Sequence, residues 1–389
     1  MHERSSPALD AIVALPGAAR VVPYGSVLAT YLASRLLMAV VAAFAALARP
    51  DLTFRDTITI WDGLWYRLAA ETDYPAKLKV PGVLSGATSS SFFPGYPLLV
   101  RAAHRVLPVD VVGAGLLVSL VCGAAAVCLI WRLTALVTDE DVAHRMAALM
   151  SFAPGSFVFS LMYAEGLMMV AAAACLIALV RERWLLAGVF AAVGTATRPN
   201  AIALCAACAV AAVPAAVRRR DLRPLIAPLL SPLGLLAFFA YLRLRTGNFF
   251  AWSENEHYAF GERVDYGETT LRASWRFFQH PFESPYIFIT GLSVLAIAAG
   301  TALLLRTRLP LALKTYALTV ALLVTVTHIV GPRPRFLLVA FPLAIPLALR
   351  CRGKSFFTVL ASSAVLMALA GAYYIVFFIL PGDGNVVPP

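Results

Sequence analysis

Residues 26–48 read SVLATYLASRLLMAVVAAFAALA, a predominantly apolar run that is long enough to cross the hydrocarbon core of a bilayer as one helix. Comparable runs recur along the chain of 389 residues, of which 60% are hydrophobic and only 14% are charged. Soluble domains typically carry about 25% charged residues, so this composition excludes that class. The sequence therefore predicts an all-α protein that crosses the membrane many times.

The apolar runs predict about eleven spans, which belong to one transmembrane domain covering residues 1–389. The chain shows neither an internal repeat nor a matched pair of interrupted helices, the pattern of inverted-repeat transporters. The predicted spans lie at about 26–48, 110–131, 144–162, 165–181, 184–197, 200–217, 225–244, 285–305, 312–330, 335–349 and 356–379.

Positive charge in alternate loops predicts the orientation of these spans in the plasma membrane. Every loop assigned to the cytoplasm is basic, for example at Arg181/Arg183 and Arg218–Arg223, as the positive-inside rule requires. Basic residues before the first span place the N-terminus inside as well. Two long loops, 49–108 and 246–283, then lie outside. Because the cytoplasmic loops account for the formal net charge of +11, no nucleic-acid partner is expected.

The first outer loop contains the stretch Trp61-Asp62-Gly63-Leu64-Trp65-Tyr66. A carboxylate beside a membrane span loses hydration, so it is a functional candidate by default. We predict that Asp62 is a catalytic base and that Trp61, Trp65 and Tyr66 contact a substrate. The alternative is an interfacial belt of aromatic side chains in which Asp62 caps a helix.

The same loop is expected to form two short amphipathic helices, at 61–70 and 94–106. Both would lie along the membrane interface with their aromatic side chains toward lipid. A Gly/Ser stretch at 82–91 separates them.

Arginine residues on the outer side are the next candidates. Gly331-Pro332-Arg333-Pro334-Arg335 precedes a late span, and external arginines run against the topological bias. A guanidinium group suits a phosphate because it donates paired, charge-assisted hydrogen bonds. We predict that Arg333, Arg335 and Arg198 bind the phosphate of a donor substrate. The alternative is that these side chains extend to lipid phosphates.

Other polar residues at the outer turns are weaker candidates for substrate binding. Glu165 lies between two spans, where it either contacts substrate or stabilises a helix N-terminus. Arg198 and Asn200 flank a proline, so Arg198 either binds substrate or satisfies freed carbonyl groups. His257 either contacts a sugar or is a solvated loop residue. Its spacing of three from Glu254 leaves a metal site open, but we predict none.

A carboxylate base, arginines for a phosphate and apolar helices together favour glycosyl transfer from a polyprenyl-phosphate sugar on the outer face. Asp62 would take the proton of an acceptor hydroxyl while the arginines stabilise charge on the phosphate. No Walker motif or glycine-rich strand-to-helix turn is present, and this reaction requires none. A lipid or glycolipid flippase with the same phosphate-binding arginines is the alternative.

Several short motifs occur in the order seen in a known family. They are 61–66, Tyr74, Ser91-Phe92-Phe93-Pro94-Gly95-Tyr96-Pro97-Leu98, Ala153-Pro154-Gly155-Ser156, Tyr163-Ala164-Glu165, Ala196-Thr197-Arg198-Pro199-Asn200 and Pro334-Arg335-Phe336. By these motifs the chain resembles the PIG-V family of GPI mannosyltransferase II and its bacterial relatives, which belong to the GT-C superfamily.

This resemblance implies a GT-C-type transmembrane helix bundle with interfacial helices in the first outer loop. It also implies inverting transfer of mannose from polyprenyl-phosphate-mannose, with Asp62 as the base. The acceptor is not carried over from the family, and we predict a glycolipid or glycan. Two departures weaken any second acidic role. The stretch 75–90 lacks the glutamate usual in the family, and Asp73-Tyr74 replaces Gly-Tyr. We therefore expect neither a metal nor another cofactor, and the sequence predicts no oligomeric state.

Overall fold

The structure is a computed structural model that describes residues 21–77, 88–329 and 331–376. These residues are almost entirely helical, and the only β-bridge among them joins Val264 to Thr327. The N-terminal basic residues, most of the Gly/Ser stretch at 82–91 and the C-terminal Pro-Gly-Asp-Gly tail, all used in the predictions above, lie outside the described residues.

The described residues form eighteen α-helices, which we label in chain order. They are α1 Val21–Ala48, α2 Phe54–Ile58, α3 Asp62–Thr72, α4 Gly95–Val106, α5 Val111–Val137, α6 Glu140–Ser151, α7 Glu165–Val180, α8 Trp184–Thr195, α9 Ile202–Arg219, α10 Ile226–Leu230, α11 Leu233–Thr246, α12 Ala251–Phe260, α13 Glu268–Gln279, α14 Pro285–Leu305, α15 Leu311–Thr325, α16 Pro334–Val339, α17 Ile345–Arg350 and α18 Gly353–Val376.

Six helical segments in the described part of the chain are long and apolar enough to cross a membrane, so the protein is an integral, multi-pass membrane protein. A bent pair would add a seventh span, and α8, α15 and the segment 341–350 are shorter apolar helices. The count of about eleven spans therefore stays a prediction. The six segments are 24–48, 111–137, 199–219, 223–246, 285–305 and 353–376.

The continuous span predicted at 144–162 is wrong. Helix α6 ends at Ser151, a 3₁₀ segment follows at Pro154–Ser160, and this segment meets α7 at an angle of 112°. Proline lacks a backbone donor and disfavours helical conformation in the residue before it, which explains the break. The break brings the 3₁₀ segment and the start of α7 to the same end of the bundle.

Arg35, in the middle of α1, holds this broken segment in place. Its guanidinium group donates hydrogen bonds to the carbonyl oxygens of Ser156 at 2.7 Å and Ser151 at 3.1 Å, and to the Ser160 hydroxyl at 3.0 Å. The C-terminal carbonyl groups of a helix carry partial negative charge, so they stabilise a cation. One buried arginine thus replaces the backbone hydrogen bonds that the break removes.

The first outer loop contains α3 and α4, close to the helices predicted at 61–70 and 94–106. The prediction that their aromatic side chains face lipid is wrong for two tyrosines. Tyr66 and Tyr96 are buried, and their rings contact each other at 5.1 Å. The Tyr96 hydroxyl donates to the Gly115 carbonyl at 2.7 Å, so a hydrogen bond inside the protein replaces the one expected at the interface.

The second outer loop contributes α12 and α13 and packs on the first. The Asn255 amide of α12 donates hydrogen bonds to the Ser91 hydroxyl at 2.7 Å and to the Thr88 carbonyl at 3.1 Å. Glycine at position 95 allows the N-terminus of α4 to approach the α8–α9 turn, because an added Cβ would lie 2.6 Å from the Thr197 hydroxyl. The two loops and this turn therefore meet at one end of the bundle.

We expect Arg35→Met to destabilise the protein, because it removes the hydrogen bonds that Arg35 donates to the buried Ser151 and Ser156 carbonyl groups. The expected loss in free energy of unfolding is about 2 kcal/mol or more, seen as a lower melting temperature in detergent. Arg352→Met, at an exposed arginine, is the control. An unchanged melting temperature for Arg35→Met would show that these hydrogen bonds do not hold the broken segment.

Candidate active site

An ion pair between Asp62 and Arg335 lies at the centre of the site. Asp62 is the first residue of α3 and Arg335 lies in the first turn of α16. One guanidinium nitrogen, Nη1, is 2.6 Å from Asp62 Oδ2, and Nη2 is 3.5 Å from Oδ1. Both side chains are largely removed from solvent, with exposed fractions of 17% for Asp62 and 6% for Arg335. The N-terminus of α3 also favours the negative charge.

The backbone before Asp62 is strained and is held by another element. Trp61 has a φ of 53°, a left-handed value that residues other than glycine rarely adopt. The Tyr163 hydroxyl donates a hydrogen bond of 3.1 Å to the Ile60 carbonyl. Such strain persists only where the surroundings enforce it, and it is common at functional sites. The contact from Tyr163 thereby helps to position Asp62.

A second buried ion pair lies beside the first. Arg198 Nη1 is 2.7 Å from Oε1 of Glu165, whose side chain is fully buried at the start of α7. The same Glu165 oxygen is 4.0 Å from Arg335, so the two pairs form one group of four charges. The Phe336 ring lies against both guanidinium groups, 4.4 Å from Arg335 and 5.5 Å from Arg198. The group has no net charge, which reduces the cost of burying it.

Several buried polar atoms in this region have no hydrogen-bond partner among the described residues. They are Glu165 Oε2, Arg198 Nε, Arg335 Nε and Asn200 Oδ1, together with the hydroxyl oxygens of Ser89 and Ser90. Buried polar groups are nearly always satisfied in folded proteins, and unsatisfied ones require a reason. A cluster of donors and acceptors of this kind is suited to a polar ligand rich in hydroxyl or phosphate oxygens.

Arg333 lies apart from these pairs. It is 5% exposed, and its guanidinium carbon is 6.0 Å from the centre of the Tyr286 ring. Arg198 and Arg335 are paired with carboxylates, whereas no ion pair of Arg333 is found within the described part of the chain. Its positive charge also interacts with the Tyr374 hydroxyl. Arg333 is therefore the arginine best placed to attract an external anion.

An apolar cavity of about 550 Å³ begins next to Arg333 and contains no charged side chain. Pro334 and Tyr374 line it near that end. It follows α14 from Pro285 to Leu303, which corresponds to about 27 Å at ~1.5 Å per residue. Leu369 lines the cavity and is 61% exposed on the outside of the bundle. The cavity thus approaches a hydrocarbon core in length and reaches the lipid-facing surface.

The structure brings four of the predicted residues into direct contact: Asp62, Glu165, Arg198 and Arg335. Tyr66 lies beside them, because its hydroxyl interacts electrostatically with all four. The half-buried Asn200 follows Arg198, and Trp61 precedes Asp62.

Two of the weaker candidates are not brought into this group. Trp65 stacks on Phe92 at 6.1 Å and contacts Phe260 edge to face at 5.6 Å, so it packs the two outer loops together. His257 is exposed, and its nearest hydrogen-bond partner is the Glu262 carbonyl at 3.4 Å.

Sequence analysis missed Glu256, which interacts electrostatically with Asp62 and Arg198. The signal was present in the spacing of Trp252, Glu256 and Phe260, which are four residues apart and share one face of a helix.

The residues present are suited to acid–base and phosphate chemistry. No group of three or more His, Cys, Asp or Glu side chains able to hold a metal ion occurs among the described residues. The absence of a required metal or cofactor stays a prediction, since it concerns the functioning protein.

Neither a protein-family model nor a curated protein sequence matches the chain. Solved structures do match it. ArnT from Cupriavidus metallidurans, bound to undecaprenyl phosphate, superposes with a TM-score of 0.52 at 13% identity, over 86% of this chain and 63% of that one. The Archaeoglobus fulgidus oligosaccharyltransferase in the apo form gives a TM-score of 0.46 at 12% identity, over 90% of this chain and 57% of that one.

These neighbours are GT-C glycosyltransferases, and the chain has the GT-C-type helical fold. It spans 63% of the length of the ArnT chain that it matches. At this identity the likeness establishes the fold alone, so membership of the PIG-V family remains a prediction.

We expect Gly155→Ala to disturb the Asp62–Arg335 pair. The added Cβ would overlap the Pro334 carbonyl and lie 2.8 Å from Arg335 Cα. Relief of such overpacking costs about 1–3 kcal/mol and displaces the backbone. The expected result is a lower melting temperature together with a loss of any activity of the site. Gly25→Ala in α1, where an added Cβ meets nothing within 4 Å, is the matched control. Equal behaviour of the two variants would contradict the close packing described.

Proposed function

We propose that the protein is an inverting glycosyltransferase that uses a polyprenyl-phosphate sugar as donor and works on the outer face of the membrane. One arrangement carries this proposal: a buried carboxylate–arginine pair lies near Arg333, which forms no ion pair with any described residue and lies at the end of a long apolar cavity. A reaction whose donor carries a lipid tail, a phosphate and a sugar needs these three environments side by side. The GT-C-type fold supports the same class of reaction.

Arg333 is assigned to the donor phosphate. Its guanidinium group lies near Tyr286 and Tyr374, at the end of the cavity that Pro334 lines. Arg333 forms no ion pair among the described residues and is influenced by Glu262 only as one of several surrounding charges, so it remains available to an incoming phosphate. Arg335 and Arg198 are already paired with Asp62 and Glu165. Arg335 and Arg198 then orient the carboxylates and stabilise charge that develops close to them.

The apolar cavity is assigned to the isoprenoid tail. Its lining contains no charged side chain, and its extent along α14 approaches the thickness of a hydrocarbon core. Access from the bilayer is provided on the side of Leu369, which is exposed on the outside of the bundle. The ArnT structure with undecaprenyl phosphate supports a lipid-phosphate donor for proteins of this fold.

Asp62 is assigned the role of general base. The acceptor hydroxyl transfers its proton to the Asp62 carboxylate while its oxygen forms a bond to the anomeric carbon. The bond from that carbon to the phosphate oxygen breaks, and its electron pair remains on the lipid phosphate. Attack opposite the leaving phosphate inverts the anomeric centre. Asp62 Oδ1 is 3.5 Å from Arg335, against 2.6 Å for Oδ2, so Oδ1 is the freer oxygen for the proton.

The choice of sugar rests on the resemblance to PIG-V proteins, and we propose mannose as the transferred sugar. We propose a glycolipid or glycan as the acceptor, which that resemblance does not supply. Loop charges support an extracytoplasmic site, because the cytoplasmic loops of a multispanning protein accumulate Lys and Arg.

We expect Asp62→Asn to lower turnover by about 100-fold or more, because the amide keeps the shape but does not accept the proton. The assay supplies radiolabelled polyprenyl-phosphate-mannose and a membrane glycolipid extract to purified protein in lipid vesicles. Donor binding should persist in the variant. Equal transfer by both proteins would exclude Asp62 as base. Absence of transfer with wild type, together with movement of labelled lipid between leaflets, would favour the flippase alternative.

We expect Arg333→Gln to weaken binding of polyprenyl phosphate by about tenfold to 100-fold, which corresponds to one lost charge-assisted contact. Equilibrium binding of labelled undecaprenyl phosphate to purified protein measures this loss. Arg352→Gln, at an exposed arginine beyond the cavity, serves as the matched control. Unchanged affinity in Arg333→Gln would move the phosphate site to another residue.

A further inference from the structure

Glu256 lies at the boundary between the two outer loops, on the face of α12 that packs against the first loop. One turn before it, Trp252 Nε1 donates to the Ser91 carbonyl at 3.3 Å. One turn after it, Phe260 contacts Trp65 at 5.6 Å. Residues four apart share one face of a helix, so Glu256 points toward the same surface as its neighbours. Its half-buried side chain also lies close enough to interact with the Ser91 hydroxyl.

The position of α12 is well determined by hydrogen bonds beside Glu256. Asn255 donates to the Ser91 hydroxyl at 2.7 Å and accepts from the Thr88 hydroxyl at 3.0 Å. Asn255 is 3% exposed, so these bonds are shielded from competing water. The carboxyl of Glu256 is therefore held against the Ser89–Ser91 turn by its own helix.

The charged groups that face Glu256 come from three elements: Asp62 of α3, Arg198 of the α8–α9 turn and Glu262 of the segment after α12. Burial raises the pKa of Glu256 to about 8, opposed by the Ser91 hydrogen bond and by Arg198, and assisted by Glu262 and Asp62. A raised pKa means that the carboxyl keeps its proton at neutral pH. Two carboxyl groups of one site then differ, with Glu256 protonated and Asp62 paired with Arg335.

The Ser89–Ser91 turn next to Glu256 contains buried hydroxyl groups that lack hydrogen-bond partners in the described part of the chain. Ser89 and Ser90 are 1% and 0% exposed, and their hydroxyl oxygens have no hydrogen-bond partner among the described residues. The Asn200 Oδ1 atom, near Arg198, likewise has no hydrogen-bond partner among the described residues. Hydroxyl groups that are buried without partners match a ligand that offers several hydroxyl groups of its own, as a sugar does.

We propose that Glu256 is the second carboxyl group of the site and donates its proton in a hydrogen bond to a sugar hydroxyl lying between Asp62 and the Ser89–Ser91 turn. This inference rests on the proposed function, which supplies the sugar. The hydroxyl belongs either to the donor sugar or to the acceptor. A neutral carboxyl serves both as donor and acceptor, whereas an ionised one only accepts and repels Asp62. Glu256 therefore binds and orients substrate, and proton removal stays with Asp62.

The test compares Glu256→Gln, Glu256→Ala and Glu254→Gln with wild type across the pH range on either side of about 8. Glutamine keeps a neutral donor, so its turnover should exceed that of alanine by about tenfold, the factor for one hydrogen bond in a buried site. Wild-type activity should fall as pH rises through the pKa of Glu256, and this fall should be absent in Glu256→Gln. Glu254→Gln, on the same helix, should keep the wild-type profile.

Each outcome of this comparison either supports or overturns the proposed role of Glu256. Equal turnover of Glu256→Gln and Glu256→Ala with an unchanged alkaline fall would leave Glu256 a structural role and overturn the proposal. Complete inactivity of Glu256→Gln would make it a base instead. The two sources of the hydroxyl are separated by KM: an increase for polyprenyl-phosphate-mannose indicates the donor, and an increase for the glycolipid extract indicates the acceptor.

A second measurement remains informative even if no sugar is transferred. Infrared difference spectra of purified protein in lipid nanodiscs, recorded below and above about pH 8, detect loss of a protonated carboxyl. The signal should be present in wild type and Glu254→Gln and missing in Glu256→Gln. Its presence without any transfer would mean that the proposed function fails while the neutral carboxyl stands. Its absence from wild type would overturn the further inference alone.

Discussion

The buried pairing of charges at one end of the bundle is the constraint on which the rest of the site depends. A lone carboxylate or guanidinium group in a place of low polarity is costly, whereas a hydrogen-bonded pair is tolerated. Asp62 and Glu165 are therefore found with Arg335 and Arg198, and aromatic rings cover the guanidinium groups. Removal of one partner leaves the other charge buried, so the four side chains hold α3, α7, α16 and the α8–α9 turn together.

This pairing also distinguishes the three arginines, which have the same predicted role in the sequence. Arg198 and Arg335 are neutralised within the protein, whereas Arg333 faces Tyr286 beside an uncharged cavity. An arginine at the end of an apolar channel is better placed to bind the phosphate of a lipid than an arginine already paired with a carboxylate. The same geometry places the two carboxyl groups in different surroundings. Asp62 is paired with an arginine, whereas Glu256 lies near a serine hydroxyl and other acidic side chains.

The broken segment between α6 and α7 shows how a membrane protein builds irregular backbone into its interior. Unsatisfied carbonyl groups are not tolerated in lipid, and Arg35 supplies the donors that the 3₁₀ turn lacks. This 3₁₀ turn brings Gly155 into contact with Pro334, and this contact positions Arg335. Arg35 thus contributes to the geometry of the site through three packed elements, namely α1, the 3₁₀ segment and α16.

Sequence alone determined the helical membrane class and the short helices of the first long loop, and it named Asp62, Arg335, Arg198 and Glu165 among its separate candidates. The structure showed that these four side chains form one group. Hydropathy, charge and turn residues are local properties, so a linear pattern records them. Tertiary structure decided that Tyr66 and Tyr96 are buried, that 144–162 divides into α6 and a 3₁₀ segment, and that the helix of Glu256 packs on the first long loop. Asp62 and Arg335 are 273 residues apart, and Ser91 and Asn255 are 164 apart. Contacts over such distances arise only when helices pack, because their energies depend on which surfaces exclude water together.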